Sequence, residues 1–106
     1  MAIFVLNSPI LTAYGEYRYE KIEEEQARRL LLSTEFTSAI GHEATANFLS
    51  KKLGVKILTN RIPISMDKND QAVVFRLLDR LPEGKVLDNN EMQSVRYELG
   101  LLKRVK

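Results

Sequence analysis

The chain has 106 residues, with 16 Lys and Arg against 14 Asp and Glu for a formal charge of +2. Its 44% hydrophobic content supplies one core without a metal or crosslink, and the absence of cysteine excludes disulfides, a cysteine nucleophile and thiolate metal sites. The length predicts a single domain over residues 1–106, and so mild a charge is too little to mark a non-specific nucleic-acid binder.

Ile3-Phe4-Val5-Leu6 reads as a short buried strand, stopped by the turn-forming Asn7-Ser8-Pro9. Tyr14 to Tyr19 alternates aromatic with Gly or charged residues, the period of a strand with one exposed face. Glu23 to Leu32 is a predicted helix, with three glutamates at its N-terminal end and Arg28 and Arg29 toward the other. A second helix is expected from about Ser38, a good N-cap, to a stop at Gly54. Arg61 to Ser65 resembles a strand carrying a proline, hence an edge or irregular one. Asp67 to Asp70 makes a polar turn, Ala72 to Leu78 the next strand, and Leu81-Pro82-Glu83-Gly84 another turn. Asn89 or Asn90 caps a short helix through Val95, and Tyr97 to Val105 closes as a strand. This order predicts an α+β fold, a mixed sheet of about five strands with helices mainly on one face.

The longest apolar runs are far too short for a membrane span, and Met1 to Leu6 lacks the pattern of a secretory signal. The expectation is a soluble protein of the cytoplasm, with no membrane partner. Charge is uneven: residues 1–40 carry four basic and six acidic side chains, and residues 41–106 carry twelve and eight. An anionic ligand therefore belongs with the second part.

The single histidine, His42, is the one side chain with an unperturbed pKa near neutrality. It shares a helical stripe with Ala46, Leu49 and Leu53, so it reads either as a histidine at the edge of a core or as a proton donor at a helix start. The residues alone favour the first. Arg80 and Glu83 flank the Leu-Pro turn and read as surface charges, or as a guanidinium for a phosphate and a carboxylate for a hydroxyl. Arg61 is a strand-edge charge or a second phosphate contact. No carboxylate cluster has metal spacing, so neither a metal nor a cofactor is expected.

The stretch Phe36-Thr37-Ser38-Ala39-Ile40-Gly41-His42-Glu43-Ala44-Thr45-Ala46 resembles the signature of the viral anti-CRISPR ring nuclease family of archaeal viruses, phages and integrated bacterial elements. The resemblance continues through Leu6-Asn7-Ser8, Leu53-Gly54-Val55, Asn60-Arg61, Arg80-Leu81-Pro82-Glu83-Gly84 and Tyr97-Glu98-Leu99, nearly the whole chain. It implies a homodimer that binds cyclic tetra-adenylate across its interface and cleaves it, without metal, to linear di-adenylates ending in a 2′,3′-cyclic phosphate. Such cleavage would switch off type III CRISPR defence in the host cytoplasm. On the same resemblance His42 is the catalytic histidine and Glu83 the assisting carboxylate. Arg61 and Arg80 are ligand-contacting arginines, and Asn7, Ser8 and Gly41 complete the ligand contacts. No stable DNA complex is expected of such an enzyme. The alternatives are a non-catalytic nucleic-acid-binding regulator, which would need a salt-sensitive spread of Lys and Arg rather than His42, and a module that blocks a host protein.

Overall fold

Five strands and three helices follow one another in the computed structural model, which describes residues 2–7, 13–78 and 89–106. They are β1 (Ile3–Leu6), β2 (Tyr17–Ile22), α1 (Glu24–Ser33), β3 (Thr37–Ser38), α2 (Glu43–Leu53), β4 (Gln71–Leu77), α3 (Asn89–Ser94) and β5 (Tyr97–Arg104). The strands form one mixed sheet in the order β2-β5-β4-β1-β3. β1 lies parallel to both β3 and β4, whereas β5 runs antiparallel to β4 and to β2. This is the expected α+β arrangement.

The sheet is filled on both faces at its centre. Ala72, Val73, Val74 and Phe75 of β4 are all buried, the continuous apolar run of a strand covered on both sides. Alternation along the strands then sorts the core. Val5, Val73, Phe75 and Leu99 face α1 and α2, meeting Ala27, Leu31, Ala46, Leu49 and Leu53. Leu6, Ala72, Val74 and Leu102 face the other way, under Ile64 and Met66. Phe48 and Phe75 stand 5.7 Å apart, and Tyr97 packs on both at 5.5 Å, so an aromatic group ties α2 to β4 and β5.

Three expectations need correction. The aromatic alternation beginning at Tyr14 enters the sheet only at Tyr17, and Tyr14 itself is 99% exposed. The second helix starts at Glu43 rather than near Ser38. Ser38 belongs instead to β3, where its hydroxyl donates to the Leu58 carbonyl at 2.7 Å and accepts from the Ile40 N–H. Arg61 to Ser65 forms no strand. It is an irregular strap in which Pro63 has no N–H for a ladder, and Ile64, with Met66 beyond it, covers the second face of the sheet. The count of five strands thus stands with a different member, β3 in place of residues 61–65.

Other local signals match the backbone. The Gln26 side chain accepts the Glu23 N–H at 2.9 Å and fixes the start of α1. Gly54 ends α2 in the left-handed region, φ 65°, with its N–H on the Ser50 carbonyl. The Asp67–Asp70 turn places Asn69 at φ 75°, and the buried Asp70 carboxylate accepts the N–H groups of Ala2 and Asp67, each at 2.8 Å. The expected turn at Leu81 to Gly84 lies outside the described residues.

Candidate functional site

The three parallel strands deliver their carboxyl ends to one margin of the sheet, the place where ligands collect in open sheets with parallel strands. β1 leaves there into exposed Asn7, and β4 into Leu78. β3 leaves through Ala39, whose N–H donates to the Val5 carbonyl at 2.9 Å, then through fully buried Ile40 to Gly41 and His42.

His42 is the cap residue of α2. Its backbone is extended, φ −127° and ψ 120°, and its carbonyl accepts the Ala46 N–H at 3.0 Å. The ring does not bond the helix end and is exposed. The stripe that was to tuck it against a core holds for Ala46, Leu49 and Leu53, each 1% exposed, but stops short of His42. A cap residue lies outside helical geometry, so the helical repeat no longer governs where its side chain goes. The histidine is accessible to a ligand.

Arg61 is brought to the same place by a polar clamp. The Asn60 N–H donates to the Ile40 carbonyl and its side-chain amide to the Ser38 carbonyl, both at 2.8 Å, while Ser38 holds Leu58. Residues 58–60 are thereby locked beside β3, and Arg61 follows directly. Its Cβ, Cγ and Nε would lie 3.2–3.3 Å from a Cβ at position 41. Glycine there lets the arginine stem rest against the backbone just before His42, with the guanidinium on an exposed side chain. Among the described residues Arg61 has no ion-pair partner. A guanidinium whose stem rests on the residue just before an exposed imidazole suits a phosphate ester.

The structure thus brings together His42, Gly41 and Arg61, with Asn7 at the same sheet margin. Ser8, Arg80 and Glu83 lie outside the described residues. The Ser38–Asn60 clamp escaped sequence reading, because residues 22 apart share no periodic signal. So did a pocket of about 470 Å³ on the outer side of β3, lined by Phe36, Thr37, Ser38, Lys56, Leu58, Thr59 and Asn60. Among the described residues no group of three or more His, Asp or Glu is placed to hold a metal ion, and no helix is long and apolar enough to cross a membrane.

With that geometry in hand, the relatives are informative. A family model described as STIV B116-like matches residues 3–99. Protein YddF of Bacillus subtilis (strain 168) is 36% identical over 107 residues, covering 99% of each chain. Protein ORF117 of Acidianus two-tailed virus is 33% identical over 112 residues, covering 100% of this chain and 96% of its own. Among solved structures, B116 of Sulfolobus turreted icosahedral virus superposes with a TM-score of 0.82 over 98% of this chain and 100% of its own. Its sequence identity is 24%, so that likeness speaks for the fold alone.

Proposed function

The chain belongs to the STIV B116-like family, and on that premise we propose that it is a metal-independent ring nuclease for cyclic tetra-adenylate. The observation that carries the reading is the exposed His42 at the start of α2, beside an Arg61 laid against Gly41. The Gly41-His42 and Arg80-Leu81-Pro82-Glu83-Gly84 motifs, which resemble the anti-CRISPR ring nucleases, supply the substrate class.

The chemistry asks for few groups. A ribose 2′-oxygen attacks the adjacent phosphorus, the bond from phosphorus to the departing 5′-oxygen breaks, and a 2′,3′-cyclic phosphate remains on the linear product. The 2′-hydroxyl is a built-in nucleophile, so the role left to the protein is alignment and proton transfer. His42 gives its proton to the 5′-oxygen, a contribution of roughly 10²–10⁴-fold for a well-placed acid, while the 2′-hydroxyl proton passes to solvent water, from which His42 is reprotonated. Arg61 and Arg80 offset charge on the pentacoordinate phosphorus, and Glu83 orients the 2′-hydroxyl. Asn7, Ser8 and Gly41 border the ligand. Two subunits around a twofold axis would set one histidine at each of two opposite phosphates of the ring. Degrading this second messenger in the host cytoplasm would silence type III CRISPR defence.

The test is incubation of the protein with cyclic tetra-adenylate in excess chelator, with products resolved by chromatography. Linear di-adenylate carrying a 2′,3′-cyclic phosphate is the expected product. An intact ring after prolonged incubation overturns the reading.

A further inference from the structure

Two segments distant in sequence must meet for His42 and Arg61 to serve one ligand, and neither is held there by a ladder of its own. β3 is two residues long and ends at Ser38, short of His42. Residues 56–67 adopt neither helix nor strand, so no repeat of backbone bonds fixes Arg61. What joins the segments runs through one residue. The Ala39 N–H donates to the Val5 carbonyl, toward β1, so the Ser38 and Ile40 carbonyls on either side of it point to the outer margin of β3. Asn60 takes both. Its backbone N–H reaches the Ile40 carbonyl and its side-chain Nδ2 the Ser38 carbonyl, each at 2.8 Å.

The two bonds differ in what they ask of the residue. Any residue except proline would supply the first from its backbone. One hydrogen bond leaves the chain free to turn about it, and Arg61 begins one peptide later. The second bond removes that freedom, and few side chains can make it. Alanine has no donor, serine and threonine hold theirs one bond closer to the backbone, and aspartate would set a carboxylate oxygen against a carbonyl oxygen. The accepting carbonyls matter as much as the donor. That of Ile40 belongs to the peptide that enters Gly41, where a Cβ would stand 3.2–3.3 Å from the Arg61 stem. Ile40 itself is fully buried, and the Ser38 hydroxyl is held by its bond to the Leu58 carbonyl. The Asn60 amide is thus fixed to the rigid side of the joint, and what it steadies is the exposed side, His42 and Arg61.

We propose that Asn60 is a positioning residue of the candidate site. Through the bond from its side-chain amide to the Ser38 carbonyl, it holds the Arg61 guanidinium in register with the His42 imidazole, so that the anion contact and the proton donor serve the same phosphodiester. The inference rests on the ring-nuclease reading and adds to it a residue that acts through Arg61 rather than on the ligand. Misplacing a catalytic or binding group by about 1 Å can cost up to ~10²-fold in rate. Loss of the Asn60 amide shifts Arg61 without removing it, so the expected effect lies below that bound.

The test is a double-mutant cycle on the full chain, because a residue that acts only through Arg61 has nothing to act through once Arg61 is gone. Binding of cyclic tetra-adenylate is read by titration calorimetry on the His42→Ala background, and single-turnover cleavage with His42 intact. Asn60→Ala should weaken binding about fivefold and slow cleavage about tenfold. With Arg61→Ala already present, the same substitution should change affinity by less than about twofold. A merely structural role predicts an equal loss in both backgrounds. Circular dichroism checks folding, and should Asn60→Ala fail to fold, Asn60→Ser, which keeps the backbone bond and a small polar side chain, runs through the same cycle. An intact ring after incubation with wild type overturns the ring-nuclease reading and this inference with it. Cleavage by wild type, with an Asn60→Ala rate within about twofold of it, overturns the positioning role alone. So does a loss of affinity that Arg61→Ala leaves undiminished.

Discussion

β4 divides the sheet into two halves of different character. Toward β1 and β3 the strands are parallel, so the chain cannot turn straight back, and the connections that leave the strands do so at one margin. That geometry gathers residues from distant parts of the sequence: Asn7, then Gly41 and His42, with Arg61 laid against Gly41. Toward β5 and β2 the strands are antiparallel. There residues meet in facing pairs, loops are divided between two ends, and what the half offers its surroundings is a strand edge. Parallel pairing gathers side chains from distant segments at one margin, whereas antiparallel pairing ranges them in facing pairs along the strands.

The sharpest way to break this contrast is to cut the core that joins the halves. Phe75 is fully buried on β4 and packs on Phe48 from the helix side and Tyr97 from β5. Phe75→Ala should cost about 3–5 kcal/mol of stability in a denaturant titration, and a loss under about 1 kcal/mol would show that the halves stand independently. The next largest effect isolates the parallel half. His42→Ala should slow single-turnover cleavage by at least ~100-fold, about 2.7 kcal/mol, while leaving the thermal midpoint nearly unchanged because the side chain is exposed. Turnover within threefold of wild type would remove the general-acid role.

Smaller again is the anion contact. In the His42→Ala background, Arg61→Ala should weaken binding of cyclic tetra-adenylate about tenfold, roughly 1.4 kcal/mol, read by titration calorimetry. Arg80→Ala should do at least as much, and a stoichiometry of one ring per chain would rule out a site shared by two subunits. The smallest effect lies in the antiparallel half. The Tyr97 hydroxyl donates to Glu24 at 2.7 Å, and burial first, then that carboxylate, raises its pKa well above 10.0. A phenol held neutral in the folded state stabilises fully below pH ~10 and loses that contribution as pH rises further, since the unfolded chain then releases the proton more readily. Tyr97→Phe should change stability by less than about 1 kcal/mol at pH 7. It should also flatten the loss above pH ~10, and an unaltered alkaline slope would assign that slope to other groups.

What the sequence discloses and what it hides follow the range of the forces involved. β1, β4 and β5 are legible because their apolar runs are set by burial, and the end of α2 because Gly54 is a local stop. β3 is not, since two residues hold no period and Ser38 carries the signature of a helix cap. Its hydroxyl is instead taken by Leu58, a tertiary bond that no window around Ser38 contains. Residues 61–65 mislead for a related reason. Ile62 and Ile64 alternate like a strand, yet Ile64 is used to cover a sheet face and Ile62 stays exposed. At the site, His42 is conspicuous as the lone histidine, but its exposure depends on the helix beginning only after it, at Glu43. The contact between Gly41 and Arg61 belongs wholly to the fold.

The place of β1 in the sheet also bears on how the chain is made. β1 is an interior strand, flanked by β3 and β4, and is made before either of them, while the Asp70 carboxylate fastens Ala2 across 68 positions of sequence. At a synthesis rate of ~5–20 residues per second, Ile3 to Leu6 would wait roughly 4–14 s before all of β4 had been synthesised. Through that interval four consecutive apolar residues lack one of the two strands that flank them in the finished sheet. Pairings between such distant segments also place refolding among the slower small domains, in milliseconds to seconds rather than microseconds. Nascent chains of this protein therefore pass through a stage in which an interior strand of the finished sheet is the one most in need of shelter.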